Sequence, residues 1–263
     1  MDEPLDGVDG AEQVNRDARP VTIDGDTVTR PAPANAATIH DLLQHLRDQG
    51  IVGVPELLRL EGDTETVRFI EGDSGGDAWY HQHTDDGLAS AARLLRRVHD
   101  ATTTWTPPPN AEWGAPAVAA HNGEDLVYCH GDPGPWNFVW RDNEAIGLID
   151  WDYLHPAPRL SDVAYALRWF VPVRCDEFVR DWHHFPEIPD RRHRIQVFLD
   201  AYGDLPDFDI AEAVVRRMQA VSDLVSHLAE LGQEPQRTWV AQGALEQNTV
   251  EIAWVRDHRA DFT

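Results

Sequence analysis

Two short stretches of this chain carry side chains whose types and spacing could do chemistry. The first reads Val127-Tyr-Cys-His130-Gly-Asp132-Pro-Gly-Pro-Trp-Asn137, and the second Leu148-Ile-Asp150-Trp-Asp152. An Asp able to accept a hydroxyl proton, an Asn five residues on, and a later Asp able to hold a divalent cation make up the set that metal-assisted phosphoryl transfer uses. Asp132, Asn137 and Asp150 occupy those places in that order. Asp and Asn are also ordinary turn residues, because their side chains bond the nearby backbone. That explains any one of them, but not the ordered set: His, Gly, Asp and the spaced Asn, each at about one in twenty, recur by accident in roughly one window per 10⁵.

The flanking residues say how such a set would be positioned. Leu126–Cys129 is a β-prone apolar run that stops where the motif starts, and Pro133, Gly134 and Pro135 keep the motif itself out of helix or sheet. Residues 137–140 and 145–149 are two further β-prone runs around the turn-forming Arg141-Asp-Asn-Glu144, which predicts a hairpin. Asn137 opens its first strand and Asp150 follows its second, so the hairpin brings both to the end that faces the Asp132 loop.

On His130-Gly-Asp-Pro-Gly-Pro-Trp-Asn137, Leu148-Ile-Asp-Trp-Asp152 and Pro158-Arg-Leu-Ser-Asp162-Val-Ala-Tyr-Ala-Leu167, the chain resembles the aminoglycoside phosphotransferase-like (phosphotransferase enzyme) family. The resemblance implies an α+β, bilobal, protein-kinase-like fold, with a small β-rich N-terminal lobe and a mainly helical C-terminal lobe. It implies Asp132 as catalytic base, Asn137 and Asp150 as Mg²⁺ ligands, Asp162 as a brace of the catalytic loop from a helix start, and His130 as a residue that orients the loop. ATP or GTP is the implied donor, and a small hydroxylated molecule the acceptor. A rival reading from another class stays open: a catalytically silent pseudokinase that binds nucleotide or metabolite without turnover.

Composition narrows the partners. The formal charge of −24 argues against nucleic acid, which needs a basic face. No apolar run reaches the roughly 20 residues of a membrane span and no signal peptide opens the chain, so neither membrane insertion nor secretion is expected. The two cysteines, without a Cys-x-x-Cys pattern, suit reduced thiols and a cytoplasmic location. All 22 basic residues are Arg, which removes any P-loop, since that motif requires Lys. It also leaves Arg30, at the end of a β-prone stretch before Pro31, as the candidate phosphate-binding cation.

Residues 1–72 are expected to form the nucleotide-covering lobe and 73–263 the lobe carrying the catalytic loop and acceptor pocket. Gly7-Val-Asp-Gly10 is the candidate for a glycine-rich loop, although it does not fit G-x-G-x-x-G. Residues 21–23 and 27–29 flank an Asp-Gly turn and read as a hairpin. A helix follows over about 36–49, with Leu42, Leu43 and Leu46 on one face. No Glu on it suits Arg30 as a partner, which leaves His40 or Asp41. Residues 65–72 read as a strand running into an interlobe hinge, where backbone groups of Phe69, Ile70 and Glu71 would meet the base of the nucleotide. Helices are expected from about 86, near 161–170, and over 190–202, 208–231 and 237–257, with 102–120 as a loop. Asp181, His183, His184, Glu187, Asp223 and His227 are candidate acceptor contacts. His81-x-His83 and His183-His184 are the only histidine pairs that could seed a zinc site, and neither has the i,i+4 spacing with a third ligand. Oligomeric state is not legible.

Overall fold

Four short β-strands, with a helix set against them, open the described part of the chain. A computed structural model describes residues 20–115 and 126–263, so the candidate glycine loop at 7–10 lies outside the described residues. Strands β1 (Thr22–Asp24), β2 (Thr27–Pro31), β3 (Leu57–Glu61) and β4 (Thr64–Arg68) form an antiparallel sheet in the order β1-β2-β4-β3. The Asp-Gly turn makes the first hairpin as its sequence predicts. Helix α1 (Ala36–Asp48) buries Ile39, Leu42, Leu43 and Leu46, which recur at helical spacing on one face. At roughly 1.5–3 kcal/mol per buried aliphatic side chain, that stripe holds the helix in place far more firmly than its uncapped N-terminus could.

The strand expected over 65–72 stops at Arg68. Beyond it the chain is no longer paired in the sheet: the Phe69 N–H turns back to the Asp26 carbonyl, and Asp73 pairs instead with Trp140 of the hairpin expected over 137–149. A 3₁₀ segment (Gly75–His83) leads into α2 (Asp85–Thr102), which is capped by the Thr84 hydroxyl and buries Leu88, Ala91, Leu94, Leu95 and Val98.

Strands β6 (Phe138–Arg141) and β7 (Glu144–Leu148) form the predicted hairpin. Asp142 and Asn143 both take positive φ, as the tight two-residue turn of a right-twisted hairpin demands. β5 (Leu126–Cys129) pairs with β8 (His155–Pro158), a strand that its two prolines hide from sequence reading. Helices α3 (Leu160–Phe170), α4 (Asp176–Trp182), α5 (Arg191–Tyr202) and α6 (Ile210–Glu230) follow. The helix expected over 237–257 is two helices, α7 (Gln236–Ala241) and α8 (Ala244–Asp257). Gly243 breaks it with a φ of 87°, a conformation that costs other residues about 1–2 kcal/mol.

One continuous apolar core runs from Ile39 and Leu42 on α1 through Trp140, Trp151 and Phe170 to Met218 and Phe262. The small sheet is tied to the hairpin by backbone as well. The Leu148 N–H donates to the Gly53 carbonyl at 2.7 Å, and a Cβ at Gly53 would lie 1.8 Å from the Ile146 carbonyl oxygen. Only glycine permits that approach.

Candidate active site

The hairpin delivers what its topology promises. The Ile149 N–H donates to the Asn137 carbonyl at 2.8 Å, which puts Asn137 and Asp150 at the same end, against the loop that carries Asp132. The Asn137 amide nitrogen donates to the Asp132 carbonyl at 2.8 Å and to Asp132 Oδ2 at 2.9 Å, so its amide oxygen is the atom that could hold a cation. Asp150 sits at φ 62°, and such strain in a residue other than glycine tends to gather at functional sites.

Asp132 is held by three side chains. Besides Asn137, the Trp136 indole N–H approaches Oδ2 at 3.4 Å, and the Tyr165 hydroxyl donates to Oδ1 in a short hydrogen bond. Burial pushes the Asp132 carboxyl up, the Tyr165 bond opposes it, and the Asp150 charge adds to the rise, so the pKa stands at about 7. Burial, with the Asp132 charge and hydrogen bond, lifts the Tyr165 phenol well above its usual range, so it remains a donor. Arg217 lies over the Tyr165 ring and donates to the Gly131 carbonyl.

The loop is braced from α3. Asp162, fully buried, accepts the His130 N–H at 2.7 Å, the Gly131 N–H at 3.0 Å, and a hydrogen bond from His99 at 3.1 Å. Burial alone would raise this carboxyl, but the hydrogen bond and charge of His99 outweigh it and hold the pKa well below the usual carboxylate range. The Asp132 N–H donates to His130 Nδ1 at 3.2 Å, so His130 Nε2 carries the proton and donates to the Ile149 carbonyl at 2.8 Å. His130 thereby joins the catalytic loop to the end of the hairpin, and burial keeps it neutral by lowering its pKa.

Arg30 reaches the same end from β2. Its Nε donates to Glu65 at 2.6 Å, one terminal nitrogen to Asp150 at 2.7 Å and the other to Asp152 at 3.1 Å. Burial would lower the guanidinium pKa, but Asp152, Asp150 and Glu65 together raise it. The expected helix partner is therefore corrected. Glu65 sits directly opposite Arg30 across the β2–β4 ladder, whereas His40 stands one step behind, bonded to the other Glu65 oxygen at 2.7 Å. Asp41 accepts from the Trp105 indole instead.

The hinge residues are unevenly committed. The Phe69 N–H is taken by Asp26 and the Glu71 carbonyl by Arg141 at 2.8 Å, while no described residue takes the Ile70 N–H or carbonyl. Among the acceptor candidates, Asp181, His184, Glu187, Asp223 and His227 are exposed. His183 is buried beside Trp169 and Phe185. His81 bonds Asp73 and Asn143 and stacks on Trp140, while His83 bonds the His183 carbonyl. Among the described residues, the histidine pairs form no metal cluster. The compact trio of His99, Cys129 and Asp162 belongs to the loop brace. Trp140 and Trp151 are core, whereas Trp136 and Trp169, edge to face with centroids 4.8 Å apart, are half-buried beside Asp132.

Glu65, Asp152, Tyr165, Arg217 and the Trp136 indole are the site residues that sequence reasoning did not assign. Strand register gives Glu65 a signal, and a position one helical turn beyond Asp162 gives Tyr165 one.

The phosphotransferase enzyme family model matches residues 26–118 and 110–197. The trifolitoxin immunity protein of Rhizobium leguminosarum bv. trifolii is 30% identical over 187 residues, covering 70% of each chain. Among solved structures, amicoumacin kinase in complex with AMP-PNP, Ca²⁺ and its substrate superposes with a TM-score of 0.61 at 11% identity, covering 93% of this chain and 88% of that one. Spectinomycin phosphotransferase, solved with ADP and spectinomycin, gives 0.57 at 12% identity, covering 99% and 100%. A choline/ethanolamine kinase family protein from Mesorhizobium loti gives 0.56 at 16% identity, covering 93% and 89%. At these identities the solved structures speak for the fold, which is protein-kinase-like, with a small sheet and a mostly helical remainder. The family match and the curated relative carry more: the chain belongs to the phosphotransferase enzyme family, whose members move a phosphoryl group onto a hydroxyl acceptor.

Proposed function

We propose that the chain transfers the γ-phosphoryl group of ATP or GTP to a hydroxyl of a small molecule, with Asp132 as the base. The observation that carries this reading is the convergence of Asp132, Asn137 and Asp150 at one end of the hairpin, with Arg30 beside them. Residues 1–72 cover the nucleotide, Ile70 offers its open peptide groups to the base, and 73–263 carry the catalytic loop and acceptor wall.

In this reading Asp132 orients the acceptor hydroxyl and takes its proton as the new O–P bond forms and the bond to the β-phosphate oxygen breaks. A carboxyl titrating near 7 is well matched to that task at neutral pH. The Asn137 amide oxygen and the Asp150 carboxylate are hard oxygen donors of the kind Mg²⁺ takes, and a guanidinium already rests on Asp150 as a stand-in cation. Once bound, the ion would neutralise charge on the β- and γ-phosphates. Arg30 grips the phosphates, and its planar fork suits them. No described helix is long and apolar enough to cross a membrane, and an ATP or GTP donor is consistent with the cytoplasmic location we propose.

The test is a phosphoryl-transfer screen over hydroxylated small molecules with both ATP and GTP. Because the curated relative is named for immunity to trifolitoxin, toxins and antibiotics belong in the panel alongside amino alcohols and sugars. Asp132→Ala abolishes transfer and retains Mg-nucleotide binding; Asp150→Ala loses both. Turnover retained by Asp132→Ala refutes the mechanism. One observation favours the silent pseudokinase: the Tyr165 hydroxyl already occupies Asp132 Oδ1. Nucleotide binding without transfer or hydrolysis across the whole panel would establish that second reading.

A further inference from the structure

We propose that Arg30 is a tethered counter-cation of the metal site, so that the site rejects a divalent ion on its own and admits it together with the nucleotide. The proposal rests on the reading of Asp150 as a metal ligand.

The geometry is that of one guanidinium spread over three carboxylates. The terminal nitrogens lie 2.7 Å from Asp150 Oδ1 and 3.1 Å from Asp152 Oδ1, while Nε lies 2.6 Å from Glu65 Oε1. A divalent ion arriving alone at Asp150 meets a fixed positive charge already bonded to the same oxygen. It must break that hydrogen bond and then sit beside the displaced cation. A nucleotide changes the balance, since its phosphates are bidentate partners for the same two terminal nitrogens.

The anchor is built for such a turn. Glu65 is almost wholly buried and holds Nε rather than a terminal nitrogen, so Nε can stay bonded as a pivot while the fork moves from carboxylates to phosphates. His40, bonded to the second Glu65 oxygen, fixes the pivot from α1. Asp150 is the most exposed of the three carboxylates, so it is the one that an incoming ion and phosphates can reach. A lysine ammonium has its three donors on one nitrogen, so it offers no separate pivot nitrogen that stays in place while the other contacts change. The chain has no lysine anywhere, so it is the three-carboxylate geometry, not the residue identity, that supports the proposal.

The experiment measures Mn²⁺ binding to nucleotide-free protein by electron paramagnetic resonance, and Mn²⁺ with ADP by the same method. Wild type binds Mn²⁺ alone weakly. Arg30→Gln binds Mn²⁺ alone about tenfold or more tightly and binds ADP with Mn²⁺ less tightly. Arg30→Lys gains less, and the double variant Arg30→Gln/Asp150→Asn loses the gain. Arg180→Gln, at an exposed residue, controls for loss of one positive charge from an acidic protein.

Mn²⁺ affinity in Arg30→Gln equal to or below wild type overturns the proposal, as does an equal gain in Arg180→Gln. Thermal melting reports whether each variant is folded. If Arg30→Gln is not, because Glu65 loses its guanidinium, the double variant Arg30→Gln/Glu65→Gln, which removes both charges of the pair, decides: no gain in Mn²⁺ affinity overturns the proposal. Asp150→Asn separates the two readings. If it abolishes Mn²⁺ binding with ADP while Arg30→Gln gains nothing, only the counter-cation role falls. If it leaves Mn²⁺ binding with ADP intact, the metal-ligand reading itself falls.

Discussion

Asp162→Asn is the most exacting test of how the catalytic loop is held. The substitution is nearly isosteric, so it opens no cavity, but it replaces one carboxylate oxygen by an N–H₂ donor. Oδ1 accepts the Gly131 N–H, and Oδ2 accepts the His130 N–H and the His99 bond. Whichever way the amide turns, it points a donor at a backbone N–H in a fully buried place. Hydrogen bonds to a charged group contribute about 1.5–3 kcal/mol each, and a buried donor left without an acceptor costs about 1–3 kcal/mol. Because the bonds share one carboxylate, they do not add fully, and the expected loss is about 4 kcal/mol. For a chain of this size that is a fall in Tm of roughly 8–16 °C. The pH dependence supplies a second readout. The folded pKa of Asp162 is depressed, so its stabilisation is fully present above the unfolded value of about 4 and is lost as pH falls towards the folded value. Wild type therefore loses stability below about pH 4 more steeply than Asp162→Asn, and the two curves converge in acid. Urea denaturation between pH 7 and pH 3 measures both quantities. A loss under about 1 kcal/mol at pH 7, or parallel curves in acid, refutes the bracing argument.

Three further substitutions probe the site from its other sides. Tyr165→Phe removes the hydroxyl from Asp132 Oδ1, where the acceptor hydroxyl must dock, so KM for the acceptor falls several-fold at unchanged ADP affinity; an unchanged KM means that Tyr165 only packs. Gly53→Ala drives a methyl group into the Ile146 carbonyl and prises the small sheet from the catalytic hairpin. It costs roughly 3 kcal/mol or more in denaturation and weakens nucleotide binding in calorimetry; a neutral result refutes the close approach. Glu65→Gln weakens the Arg30 pivot without removing Asp150 or Asp152. It lowers ADP affinity and costs about 2 kcal/mol of stability, less than a fully severed buried pair because Arg30 keeps two partners; ADP affinity equal to wild type counts against Glu65 as the anchor.

What the sequence showed and what it hid divides along sequence separation. Asp132, Asn137 and Asp150 lie on a loop and a hairpin whose strands have a short, readable period and an Asp-Asn turn, so local patterning was enough to bring them together. Glu65 is harder to assign as a partner of Arg30, because its only signal is the register of two strands whose paired residues lie 35 apart in sequence. On α1 the sequence offers only His40 and Asp41 in place of a glutamate: His40 supports the Glu65 carboxylate rather than replacing it, and Asp41 accepts from the Trp105 indole. Tyr165 is hidden differently: it lies on a helix whose residues are mostly buried, and only the fold shows that its hydroxyl reaches the loop. The prolines of β8 and the broken helix at Gly243 are ordinary cases in which tertiary pairing overrides local pattern.

The absence of lysine can now be given a physical reading. Taken as composition, it weakened the phosphate-gripping half of the site, since kinases place a lysine there. In the structure the arginine does something for which an ammonium is poorly shaped: it joins β2, β4 and the two carboxylates after the hairpin through one planar group. Arg30 has Glu65 as a dedicated anchor, and Glu65 in turn has His40, in a chain that otherwise carries a large excess of acid. Such layered support is unnecessary for a surface ion pair, which contributes little. It is what a cation needs if it must stay in one place while its partners change from carboxylates to phosphates. In the proposed reading, the partly buried pair of Arg30 and Glu65 is better explained by the geometry that phosphoryl transfer demands than by stability, to which buried ion pairs add little over a well-packed apolar core.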